Sequence, residues 1–294
     1  MRSLLRAEWL RQRRRLDLWG LLGGVVVLTL LGYFSGLANG IQYSGPPGEP
    51  VPPEVLAQDL LLRNQYTFPA SIRTLLGLTG VGSFLLYLAG LYLGASWTGL
   101  EFTRGTIRNV VLARPGRVAF FAARLVTLAA ALGVFVVVLV TLAALLPALA
   151  GVAWTGDTPP PTLGGALVYA AAVWLLLVAL ALAGTLAATL TRSGGGAVLV
   201  LVVYLIAEAV VTNLGFWRDA GVLGWLPQLL PGVRIGGLAA AAEAAASFQV
   251  PYAPQPDPGA LVMPPLVGVA IAAGWGIVIV AALVRRVSRM DLTE

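Results

Sequence analysis

The chain of 294 residues has no cysteine and no histidine, and all 19 of its basic residues are arginine. Disulfide bonds are therefore impossible, and the usual thiol nucleophile, soft metal ligands and general base are missing. Without lysine, the chain cannot supply the lysine of a phosphate-binding P-loop or of a Schiff base. We therefore expect no enzymatic activity and no bound cofactor in this chain, and any nucleotide chemistry must come from another subunit.

Charged residues are also scarce, at 11% of the chain against 58% hydrophobic residues. Soluble domains carry roughly 25% charged residues. A hydrocarbon core about 30 Å thick is crossed by about 20 apolar helical residues. The sequence predicts an all-α integral membrane protein whose residues 1–294 form one membrane domain with six transmembrane helices. The six apolar regions are residues 19–37, 74–97, 125–150, 163–191, 197–217 and 264–284.

Arginine is distributed unevenly across these six spans. Fifteen of the 19 arginines fall on the side that carries both termini, whereas most acidic residues fall on the other side. Because positive residues near helix ends stay in the cytoplasm, both termini are predicted to be cytoplasmic. Anionic lipid headgroups attract such residues. Since no nucleic-acid-binding motif is present, we expect membrane lipid, and no nucleic acid, as a partner.

Two segments outside the spans show helical patterns. Residues 1–18 place Leu5, Trp9, Gln12 and Leu16 at helical spacing with arginines away from them, which predicts an amphipathic helix at the membrane interface. A solvated basic tail is the alternative. The outer loop 218–263 contains apolar and Ala-rich pieces that are too short to span, which indicates short re-entrant or interfacial helices.

Small or polar residues recur at spacings of three and four in three spans. The strips are Gly20 and Gly24 in the first span, Gly80, Ser83, Tyr87, Gly90 and Gly94 in the second, and Gly268, Ala272 and Gly276 in the last. Such strips allow two helices to approach closely. Packing within one bundle is the favoured interpretation, and a subunit interface is the alternative.

The cytoplasmic segment after the second span, residues 99–116, is the most informative. Phe102 and Thr106 follow one line of a helix, Ile107 and Val110 lie beside it, and Pro115 ends it. An amphipathic helix on the basic side of a membrane protein suits a docking element. An ordinary basic loop between two spans is the alternative interpretation.

The pattern of Glu101, Gly105-Thr106, an apolar run, Pro115-x-Arg117 and Arg124 resembles the permease subunits of type-2 ATP-binding-cassette (ABC) exporters. The resemblance extends over the whole chain in layout, but its motif covers only residues 99–124. It implies a bacterial or archaeal cytoplasmic membrane, a second permease copy or paralogue, and two separate ABC ATPase subunits that bind ATP and magnesium. It also implies that residues 101–114 form a coupling helix. The ATPase-coupling residues on this basis are Glu101, Phe102, Arg104, Gly105, Thr106, Ile107, Arg108, Val110, Arg114, Pro115 and Arg117.

Glu208 lies within an apolar span, where a charge costs about 2.5 to 3.5 kcal/mol on insertion scales. Tyr204, Glu208 and Thr212 are spaced four residues apart and form a polar strip that must face protein or water. One interpretation is a protonated Glu208 that is hydrogen-bonded to a neighbouring helix, and a second is a substrate path or gate. The third is that the span ends earlier and Glu208 lies near the outer surface.

Three classes of function compete. An ATP-driven exporter subunit is favoured, and a non-transporting ABC membrane component that transmits force or a signal is the alternative. An intramembrane enzyme is disfavoured, because the chain lacks histidine and offers one acidic residue at membrane depth. The sequence does not indicate the substrate.

Overall fold

The computed structural model describes residues 6–10, 14, 16–38, 50–77, 81–103, 117–157, 159–212, 226–230, 243, 246–248 and 265–289. Every regular element within these residues is helical. A helical stretch covers residues 6–10. The longer elements are α1 (Leu16–Ala38), α2 (Pro53–Asn64), α3 (Ser71–Gly77), α4 (Val81–Thr103), α5 (Arg117–Ala150), α6 (Leu163–Thr191), α7 (Gly194–Thr212), a 3-10 helix (Pro227–Leu229) and α8 (Pro265–Ser288).

Five of the described helices, α1, α5, α6, α7 and α8, are long and apolar enough to cross a membrane. The prediction of an all-α membrane protein is therefore confirmed, while the number of six spans stays a prediction. Residues 74–77 of the predicted span 74–97 belong to α3 and residues 81–97 belong to α4, while residues 78–80 lie outside the described residues.

Helix α6 lies at the centre of the bundle and packs against α3, α4, α5, α7 and α8. Glycine allows the closest of these contacts. A Cβ atom on Gly94 would overlap the backbone of Ala181 in α6, and one on Gly184 would overlap the backbone of Leu91 in α4. The packing interpretation is therefore confirmed for Gly94. By contrast, a Cβ atom on Gly24 would meet nothing within 4 Å.

The two ends of the bundle differ in charge. The end that carries the C-termini of α4, α6 and α8 is termed the basic end, because Arg192 follows α6 and Arg285 and Arg286 lie in the last turn of α8. The N-terminal part of α5 lies at the same end, because Arg124 of α5 pairs with Glu101 near the C-terminus of α4.

Hydrogen bonds secure the opposite end. The Asn64 side chain donates to the Thr155 carbonyl at 2.6 Å and accepts from the Thr155 N–H at 2.9 Å. Arg73, only 7% exposed, forms a 2.8 Å ion pair with Glu243. Glu243 belongs to the predicted outer loop, so this pair ties the loop to α3. The Tyr66 carbonyl accepts a 2.8 Å hydrogen bond from the Tyr33 hydroxyl. Burial raises the pKa of the Tyr66 hydroxyl above its ordinary value.

Candidate functional site

Helix α4 continues past the predicted end of its span to Thr103. Residues 99–103, the first five of the predicted coupling segment, therefore extend α4, and Glu101 lies in its last turn. A carboxylate at a helix C-terminus meets the negative end of the helix macrodipole. Glu101 is also 8% exposed. A buried anion in this position requires a cation close by.

Arg124 of α5 supplies that cation. Its Nη1 lies 2.8 Å from Oε2 of Glu101, and the two side chains are 3% and 11% exposed. The Arg124 Nη2 also donates to the carbonyl of Trp97. The guanidinium carbon lies 5.9 Å from the ring centres of Trp97 and Phe120, within cation–π range. Glu101, Arg124 and Trp97 are termed the loop anchor.

The loop anchor joins the two helices that flank residues 104–116. Glu101 lies two residues before the end of α4, and Arg124 lies seven residues after the start of α5. Burial of both side chains makes this connection rigid, because breaking it leaves an uncompensated charge inside the protein. The loop anchor therefore connects the C-terminal turn of α4 to the N-terminal part of α5.

A backbone contact extends this connection to α7. A Cβ atom on Gly99 would overlap the backbone of Gly194, the first residue of α7. Only glycine at position 99 permits such an approach without displacement of the backbone. The end of α4 therefore contacts α5 through an ion pair and α7 through its backbone.

The predicted ATPase-coupling residues are only partly within the described residues. Glu101 is buried in the loop anchor, and Phe102 is partly exposed beside it. Arg117 begins α5. The other eight predicted residues, from Arg104 to Pro115, lie outside the described residues. The structure pairs Glu101 with Arg124, and its predicted part in coupling stays a prediction.

The second predicted site lies on α7. Only 11% of the apolar stretch of α7 is buried, which is the lowest share among the five candidate spans. Glu208 is nevertheless buried, with 6% of its surface exposed. The Tyr204 hydroxyl donates a hydrogen bond to the Glu208 carboxylate. Thr212 donates to the carbonyl of Ala209 at 3.1 Å. Tyr204 and Glu208 are thus brought together, while Thr212 bonds to its own helix.

Sequence reasoning did not identify Trp97, Gly99 and Gly194 as parts of the site. Arg124 was recognised as part of the motif but not as the partner of Glu101. Its position just inside an apolar helix was the available signal, since a buried arginine needs an anion. Among the residues with described structure, no cluster of three acidic residues could hold a metal ion.

Comparison of the chain with protein-family models, with curated proteins and with solved structures finds no match.

Proposed function

We propose that this chain is the membrane-spanning subunit of an ATP-driven ABC exporter, powered by separate ATPase subunits that dock on residues 101–114. The all-helical architecture with five apolar helices supports a membrane component. The absence of lysine from the sequence supports a division of labour in which partner subunits hold ATP and magnesium. The loop anchor is the observation that carries the proposal.

A coupling element has to meet two physical requirements. It has to be accessible to a partner on the cytoplasmic side, and it has to be joined rigidly to the spans that move. The loop 104–116 contains three of the chain's arginines, which suits the cytoplasmic side. The buried pair of Glu101 and Arg124 meets the second requirement.

The proposed mechanism follows from these contacts. ATP-driven closure of the ATPases moves residues 104–116, and the loop anchor transmits the movement to α4 and α5. The contact between Gly99 and Gly194 transmits it to α7, which carries Tyr204 and Glu208. ATPases that contact the loop differently in two conformations shift the population between them. On this basis α7 contributes the substrate path or gate.

A second permease copy completes the proposed exporter. Helix α7 exposes apolar side chains along most of its length, including Val203, Ile206 and Val210. Lipid or a second copy can cover such a face. A path between two copies would be lined by these residues, while the buried Glu208 would respond to their rearrangement.

Photo-cross-linking in the native membrane tests the proposal. A photoreactive phenylalanine analogue is placed at Ile107 or Val110 on the predicted apolar edge of the loop. The control position is Leu56 in α2, which is 51% exposed at the opposite end. We expect the loop positions to form adducts with a protein that contains a P-loop, and the Leu56 position to form none. Adducts that contain no nucleotide-binding protein would contradict docking on this loop.

A further inference from the structure

Helices α7 and α8 both pack on α6, and a cavity of about 320 Å³ lies between them. This cavity is termed the α7–α8 groove. Its floor runs along α6 from Leu180 to Thr191, Tyr204 lines the α7 side, and Ile279 lines the α8 side. From Leu180 to Thr191 the helix rises by about 16 Å. This length is about half of a hydrocarbon core about 30 Å thick, which corresponds to one leaflet.

Polar groups in the groove are engaged within the protein. The Thr191 hydroxyl donates to the carbonyl of Ala187 at 2.9 Å, and the Trp275 Nε1 donates to the carbonyl of Leu229 at 2.8 Å. The Tyr204 hydroxyl donates to Glu208. The remaining lining is aliphatic. Because apolar cavities hold water poorly, the groove suits a hydrocarbon chain.

The groove is bounded at the end that lies away from the basic end of the bundle. The 3-10 helix Pro227–Leu229 packs against α7 and accepts the hydrogen bond of Trp275 from α8. It therefore bridges the two walls beside Trp275. A chain as long as one leaflet would enter from the basic end.

Two of the arginines at that basic end, Arg192 and Arg286, are aligned with the groove. Arg192 is exposed and directly follows Thr191, the last floor residue. Arg286 lies seven residues after Ile279, which places it on the same face of α8 and two turns nearer the basic end. The Arg286 Nε is buried and has no hydrogen-bond partner in the part of the chain that the structure describes. Arginine binds phosphate oxygens through its planar array of donors.

We propose that the α7–α8 groove binds one acyl chain of an anionic phospholipid from the leaflet at the basic end, with the lipid phosphate against Arg192 and Arg286. This site does not depend on the exporter function. The groove holds the hydrocarbon because its polar atoms are already bonded, and the arginines select the negative charge. The bound lipid would also fill the space between α7 and α8.

Native mass spectrometry of the purified full chain in detergent tests the site. Dimyristoyl phosphatidylglycerol and dimyristoyl phosphatidylcholine are titrated in parallel. We expect one phosphatidylglycerol to bind more tightly than phosphatidylcholine, and Arg286→Gln to weaken it by about tenfold or more through the lost charge-assisted bonds. Arg285→Gln is the matched control, since it removes the same charge about 100° around α8 from Arg286. It should change binding by less than about twofold.

A second pair of variants tests the hydrocarbon part. Ala183 lines the α7–α8 groove, and Ala129 lines a cavity of about 330 Å³ between α5 and α6. Ala183→Phe should abolish the tight binding, whereas Ala129→Phe should retain it. Equal affinity for the two lipids, equal effects of the two arginine variants, or unchanged binding in Ala183→Phe would each overturn the proposal. Arg286→Gln alters a side chain at the helix end, so its result stands even where Ala183→Phe fails to fold.

Discussion

The loop anchor makes a quantitative prediction about stability. Glu101→Gln removes the anion and leaves Arg124, 3% exposed, as an uncompensated cation. Removal of one partner of a buried ion pair costs about 3–5 kcal/mol. Arg124 keeps its bond to the Trp97 carbonyl and its contacts with two aromatic rings. We therefore expect Glu101→Gln to lower the unfolding free energy by the low end of this range, about 3 kcal/mol.

A double-mutant cycle isolates the pair. The unfolding free energies of wild type, Glu101→Gln, Arg124→Gln and the double variant are measured by denaturant titration in mixed micelles. The loss of unfolding free energy in the double variant should be smaller than the sum of the two single losses by about 1–3 kcal/mol, because no charge is left unpaired. The control is Arg63→Gln, which breaks an ion pair to Asp59 whose arginine side chain is 66% exposed, and should cost less than about 1 kcal/mol. The reasoning would be refuted if each single variant lost as little unfolding free energy as Arg63→Gln and the two losses summed to that of the double variant.

Three further predictions concern other parts of the chain. Gly94→Ala should lower the unfolding free energy by about 1–3 kcal/mol, because its Cβ atom meets backbone of α6; Gly24→Ala, which meets nothing within 4 Å, should raise it by up to about 1 kcal/mol. Glu208→Gln should alter ATP-dependent export at unchanged assembly, with Tyr204→Phe giving a similar change in a transport assay; lowered stability with unchanged export would indicate a structural role. Burial raises the pKa of Tyr66, so the folded state resists its ionisation, and the stability of wild type relative to Tyr66→Phe should fall as the pH rises above about 10.

The extent of apolar runs was sufficient to predict the class of fold. The predicted span 163–191 matches α6 at both ends, because flanking proline and arginine limit the apolar run. Arg73 in α3 is buried against Glu243, a partner 170 residues away, and no local pattern reveals such a contact.

The sequence motif located the candidate site, but it did not predict the direction in which the Glu101 side chain points. Glu101 was expected at the N-terminus of a separate helix, facing a partner subunit. The structure places it in the last turn of α4, facing Arg124. Helical periodicity gives the face of a residue but not which neighbouring helix lies against that face. Likewise, Gly94 and Gly24 occur in similar strips, and only the packed structure shows that one of them lies against another helix.

The measurement that tests the central claim most directly is an ATP-dependent distance between two permease copies. Because the chain has no cysteine, Val203→Cys gives a single spin-label site on α7, where the side chain is 57% exposed. The labelled chain is reconstituted with the ATPase that photo-cross-linking identifies. The distance between the spin labels of the two permease copies is then measured by electron paramagnetic resonance with and without ATP. We expect the distance to shift on ATP addition, and we expect this shift to be lost in Ile107→Asp, which places a charge on the predicted docking edge of the loop. ATP hydrolysis by the assembled complex with an unchanged distance, or the same shift in Ile107→Asp, would contradict it.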